Sequence, residues 1–170
     1  MPVVPEREVG VFQVHPATLW VAILVALLLQ TFLPLKVPLA ALMDLPLLVT
    51  VYFALVRQNR VFGIGLGTGL GLMQDALSHG YIGLFGMAKA LVGYLAASAA
   101  ARFNLESLFA RSVVTGFLIL LHNLCMAGLQ HVLLDPPPAF VPLNLASAVL
   151  VNVALSLIVF QVLDRFRQPA

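Results

Sequence analysis

Long apolar runs, broken only by short clusters of charge, proline or glycine, decide what this chain can become. Six of them reach or approach the length of about 20 residues that a helix needs to cross the hydrocarbon core of a bilayer. They lie at about 16–35, 40–56, 61–78, 82–101, 109–134 and 143–163. Lys36 and Pro38 part the first two, and Arg57-Gln58-Asn59-Arg60 parts the second from the third. Ser78-His79-Gly80 reads as a turn, and the segment from Arg102 to Arg111 makes the fourth break. Asp135-Pro136-Pro137-Pro138 is the firmest stop, because proline lacks the N–H that a helix ladder needs. The second run is short and holds Asp44 and Pro46, so it is expected to begin as a broken or re-entrant turn.

Composition agrees with the runs. The 170 residues are 61% hydrophobic and 9% charged, with a mean hydropathy of +1.03. A soluble domain carries about 25% charged residues. So few charges cannot cover a surface facing water, and the expected solvent is lipid around one polytopic domain spanning 1–170. The pI near 9.0 reflects nine Lys and Arg against seven Asp and Glu, too mild an excess to imply nucleic acid. The single cysteine, Cys125, excludes an internal disulfide and reads as a small packed hydrophobe. The first run is longer than a signal-peptide core, and its flank Glu6-Arg7-Glu8 is not strongly basic. It is read as a retained span.

The loops give an orientation. Alternating sides place Arg7, Arg57, Arg60, Arg102, Arg111, Arg165 and Arg167 together and leave Lys36 opposite, with Lys89 inside a span. The positive-inside rule then predicts six spans with both termini cytoplasmic.

The third and fourth spans carry the most specific pattern. Gly63, Gly67 and Gly71 recur every four residues, with Gly65 and Gly69 as a second series on another face. Small residues let helices approach closely where no hydrophobic effect drives association, so two seams predict neighbours on two sides. A phosphate-cradling loop is the rival reading, but no soluble strand precedes these glycines and no GK[ST] follows. The fourth span answers with Gly83, Gly86, Ala90, Gly93 and Ala97, one small-residue stripe expected to pack antiparallel on the first seam.

Asp75 continues the Gly67–Gly71 series by four residues and should face a helix, and Lys89 lies beside the small face of its own. Each should sit roughly 6–10 Å inside the outer boundary at about 1.5 Å per residue. Intramembrane charges are costly unless paired, which makes them functional candidates. The expected pair is Asp75 with Lys89, and Asp44 lies at similar depth and is available to join them. The bland reading is a fold-specifying polar contact or a snorkelling lysine; the sharper ones are partner docking or an ion site. His122, Asn123, Gln130, His131, Asn144 and Asn152 are read as interhelical hydrogen-bonders, and Leu118 as lipid-facing.

No chemistry-bearing motif accompanies them. There is no GxSxG, no HExxH and no H-x-x-x-H. Asp44 with Asp75 is the one conceivable carboxylate pair, without the asparagine-rich surroundings of lipoprotein signal peptidases. Neither a catalytic role nor a metal or other cofactor is expected.

The stretch from Asp44-Leu45-Pro46 through GIGLGTGLGLMQDALSHGYIGLFGMAKALVGYL resembles the MreD family of rod shape-determining proteins. The family pattern falls on Asp44, then Gly71, Asp75, Leu77 and Ser78, then Gly80, Ile82, Gly83, Leu84, Gly93 and Tyr94. Here Met43 precedes Asp44 where the family often has proline, and Lys89 stands where an uncharged residue is expected, so no family role passes to it. The resemblance implies a non-catalytic scaffold in the bacterial cytoplasmic membrane. Its implied partners are a single-span MreC-like protein, the MreB filament, cell-wall synthases and membrane lipid. It also implies a fold similar to the S subunits of energy-coupling-factor transporters. A small-molecule-binding transporter subunit is therefore the rival function, disfavoured by the short outer loops at about 34–40, 79–82 and 135–142.

Overall fold

A computed structural model describes residues 13–78, 81–103, 105, 107–136 and 141–168. Glu6-Arg7-Glu8, His79, Gly80, Pro137 and Pro138 lie outside the described residues. Within them the chain forms six α-helices: α1 Pro16–Phe32, α2 Leu45–Arg57, α3 Arg60–Leu77, α4 Leu84–Arg102, α5 Leu108–Leu133 and α6 Pro142–Asp164. The breaks seen in the sequence act as caps. Asn59 accepts from the Phe62 N–H at 3.0 Å to start α3, and Ser107 accepts from Ala110 at 3.1 Å to start α5. Prolines occupy the first turns of α1, α2 and α6, where no N–H is needed. Gly83 precedes α4 at a φ of 105°, a conformation that only glycine adopts without strain.

Five helices match the expected runs to within three residues. The second does not form one span. Pro38–Leu42 make a 3-10 turn, Met43 and Asp44 are extended, and only then does α2 begin. At 13 residues α2 is about 20 Å long, short of the roughly 30 Å hydrocarbon core. Every residue from Pro46 to Val56 is buried, and α2 touches all the other helices. It is therefore the axis of the bundle, and a broken backbone is tolerated at its start because protein, not lipid, surrounds it.

By length and composition, three helices are able to cross a membrane: Leu84–Arg102, Phe109–Leu133 and Pro142–Asp164. The six-span count is thus finer than helix length alone supports. The outside of the bundle is apolar. Trp20, Leu24, Leu28 and Phe32 line one exposed face of α1, and Phe109, Val113 and Phe117 one of α5. Apolar faces this extensive are untenable in water and ordinary in lipid. Leu118 is not among them; at 2% exposure it packs in the core.

The α3–α4 pair is antiparallel and close. A Cβ at Gly63 would overlap the Gly93 carbonyl, one at Gly67 the Lys89 carbonyl, and one at Gly71 the main chain of Phe85 and Gly86. Moving down α3 by four residues moves up α4 by four, so the first seam packs stripe on stripe. The second seam has no such neighbour, since a Cβ at Gly65 or Gly69 would meet nothing within 4 Å. The last of the described residues return to the first: Gln13–Val14 (β1) pair antiparallel with Arg167–Gln168 (β2), which brings these two segments together at one end of the bundle.

Candidate functional site

The break before α2 leaves peptide groups between Leu42 and Leu45 without helical partners, and two side-chain amides take them up. Gln30 of α1 donates to the Met43 carbonyl at 2.9 Å and accepts from the Leu45 N–H at 3.0 Å. Asn152 of α6 accepts from the Asp44 N–H and donates to the Leu42 carbonyl, both at 2.7 Å. Pinned on both sides, the extended residues aim the Asp44 side chain into the bundle. Its Oδ1 caps α2 through the Leu47 N–H at 3.0 Å. Its Oδ2 takes Lys89 Nζ at 2.6 Å and lies 3.3 Å from His122 Nε2. Lys89 is 0% exposed, with its ammonium 4.5 Å from the centre of the Phe85 ring, and Phe85 stacks on His122.

Lys89 therefore pairs with Asp44 and not, as expected, with Asp75. The reason is the helix start beside Asp75. The first N–H groups of a helix have no partner within it. Asp75, 2% exposed, accepts from Gly83 at 2.8 Å, Phe85 at 3.1 Å and Gly86 at 3.2 Å. It caps α4 from the neighbouring helix, and a negative charge there also suits the helix dipole. The small-residue seam makes this possible, because Gly71 and Gly86 let the α4 backbone come within reach.

A cavity of about 650 Å3 opens beside this cluster, between the C-terminal half of α5 and the N-terminal half of α6. Asp44, Gln74, Phe85, His122 and Asn152 form its inner wall. Two buried atoms there have no hydrogen-bond partner, His122 Nδ1 and Gln74 Oε1. Among the described residues no group of three or more His, Cys, Asp or Glu side chains is placed to hold a metal ion.

A second polar cluster sits at the other end of α2. Arg111 donates to Asp164 Oδ2 through both terminal nitrogens at 3.0 Å, and Tyr52 donates to Asp164 Oδ1 at 2.9 Å. Arg111, read from sequence as a loop cation, is buried. Gln30, Tyr52 and Asp164 were not singled out by sequence at all. For Gln30 a signal existed, since it is the lone amide within the first apolar run and a polar residue in a span turns toward protein. Tyr52 and Asp164 meet only because α6 returns along α2, which no local pattern reveals.

Apolar helices wrapped around a buried central helix, with an ion pair at its start, define a small helical membrane protein. Against curated proteins and against solved structures, the chain has no match. A family model described as the rod shape-determining protein MreD matches residues 12–166, nearly the whole chain, and the chain belongs to that family. Membership points to a role in rod-shape determination. The motif positions now have physical reasons: Asp44 caps α2 and holds Lys89, Gly71 and Gly93 sit in the seam, Asp75 caps α4, and Gly83 makes the turn. Gly80 lies outside the described residues.

Proposed function

We propose that this chain is a non-catalytic, six-span scaffold of the bacterial cell-elongation complex in the cytoplasmic membrane, with both termini in the cytoplasm. It binds an MreC-like single-span protein and helps couple the MreB cytoskeleton to peptidoglycan synthases. The observation that carries this reading is the way the intramembrane carboxylates are spent within a member of the MreD family. Asp75 is occupied by three main-chain N–H groups, and Asp44 by Lys89, His122 and its own helix. Carboxylates so engaged hold a shape and offer no base to a substrate. The arginines at the β1–β2 end of the bundle and Lys36 at the other support the orientation. Asp44, Asp75 and Lys89 act in this reading by fixing the surface that the partner meets, and Gly63, Gly67, Gly71, Gly86 and Gly93 by holding α3 against α4.

A small-molecule-binding subunit of a transporter, with the S-subunit type of fold, is the second reading, and the cavity is the observation in its favour. Affinity purification of the full chain from its native membrane decides between the two. Co-isolation of a single-span MreC-like protein with cell-wall synthases is the expected result. Recovery of a transporter ATPase module in their place would overturn the scaffold.

A further inference from the structure

Three arginines at the β1–β2 end of the bundle are brought together without an acidic partner. Arg57 closes α2 and Arg60 opens α3, with only Gln58 and Asn59 between them. That turn is fixed at both residues: the Gln58 N–H donates to the Ala54 carbonyl at 3.0 Å, and Asn59 caps α3. Arg102 ends α4, which lies so close to α3 that a Cβ at Gly63 would overlap the Gly93 carbonyl. Counted from that contact, Arg102 stands about 9 Å further along the bundle axis than Arg60, within the joint reach of two arginine side chains.

No acid at this end neutralises them. Among the described residues the acidic side chains are Asp44, Asp75, Asp135 and Asp164, and only Asp164 lies at the same end. It is taken by Arg111 and Tyr52. Among the described residues Arg57, Arg60 and Arg102 form no ion pair. Arg60 and Arg102 are exposed, and Arg57 is half-buried with its guanidinium 4.3 Å from the centre of the Phe62 ring. Stacked there, Arg57 leaves the N–H edge of its guanidinium open to an acceptor.

The side chains next to them set the depth. Val61 and Phe103 directly follow Arg60 and Arg102 and are 80% and 63% exposed. Apolar groups so exposed belong among acyl chains, which puts the arginines at the boundary between hydrocarbon and headgroups. The acceptor that meets them there is a lipid phosphate, whose oxygens the planar guanidinium fork binds in pairs. We propose that Arg57, Arg60 and Arg102 form a discrete binding site for the headgroup of an anionic phospholipid. Charge complementarity selects it: a zwitterionic headgroup would bring a further cation to three cations, whereas an anionic one brings net negative charge. The proposal goes beyond the scaffold reading and holds whichever side of the membrane this end faces.

Native mass spectrometry of the full chain in detergent, titrated with phosphatidylglycerol or phosphatidylcholine, counts the bound lipids and gives their affinities. One phosphatidylglycerol should bind more tightly than any phosphatidylcholine. Arg60→Gln and Arg102→Gln should each weaken it about fivefold. Arg165→Gln removes a charge at the same end but on α6, and should leave the affinity as it is. Arg60 and Arg102 are exposed, so both variants should keep the parent's thermal midpoint in lipid-free detergent, which separates lost binding from lost fold. Equal binding of the two lipids overturns the proposal. Phosphatidylglycerol binding that Arg60→Gln and Arg102→Gln leave unchanged is annular and overturns it too, as does binding that Arg165→Gln weakens equally. Capture of a polyglutamate peptide with no preference between the lipids would assign the patch to an acidic protein segment instead. None of these failures touches the scaffold reading, which co-purification tests.

Discussion

Asp75 is buried and Asp44 nearly so, yet the two carboxylates answer to different partners, and mutation separates them. Asn at position 75 would turn an amide N–H toward main-chain N–H groups that now meet an oxygen. Asp75→Asn should cost about 1–3 kcal/mol, seen as a lower thermal midpoint in detergent. Lys89→Met should cost more, about 3–5 kcal/mol, because it leaves Asp44 buried beside a missing cation. The double variant Asp44→Asn with Lys89→Met should recover part of that loss, whereas Asp75→Asn with Lys89→Met should be nearly additive. A double-mutant cycle on stability checks both, and stronger coupling through Asp75 than through Asp44 would contradict the geometry. That Asp75 faces inward was legible, since it stands four residues beyond Gly71 on the seam. Its partner was not, because pairing depends on how α4 is rotated and on where the unwound residues before α2 carry Asp44. Those are set by Gln30 and Asn152, which are 13 and 108 residues from the groups they bind.

Between α3 and α4 the backbones are so close that side-chain rearrangement cannot make room. Gly67→Leu and Gly71→Leu would drive carbon into the main chain of Lys89, Phe85 and Gly86, and a shift of the whole helix is the only relief. Each should cost about 3 kcal/mol or more, beyond ordinary overpacking. Gly65→Leu and Gly69→Leu should leave the midpoint within about 0.5 kcal/mol of the parent, since they point into open space. Phe117→Leu, on an exposed face of α5, serves as the neutral control. Equal losses at both glycine series would mean that the second one also packs against protein. Reading the first seam from sequence succeeded because α3 and α4 are joined by a short turn and have no other way to bury matching stripes. The second failed because GxxxG spacing describes a helix face and says nothing about whether another helix lies on it.

Charge is distributed along the bundle axis, and this decides how the molecule should sit. Arg57, Arg60, Arg102, Arg111 and Arg165 gather at the end where β1 meets β2, while Lys36 is at the other. A periplasm-active reporter fused after residue 170 should be silent, and one inserted near residue 138 active. Activity at both positions, or at neither, would remove the six-span orientation. The short, fully enclosed α2 has a consequence for how the chain is made. A 13-residue segment gives the insertion machinery too little apolar length to hold in the bilayer, and its flanking carboxylate makes release into lipid worse. It has to wait at the translocation channel until α3 and α4 have emerged, because Lys89 and the glycine seam are what make its environment tolerable. A cysteine placed at Val51 should therefore react with a water-soluble thiol reagent in released chains ending at Arg57, and be protected in released chains ending at Arg102. Assembly of this protein is in that sense delayed by its own central helix, which enters the membrane only when its walls have been synthesised.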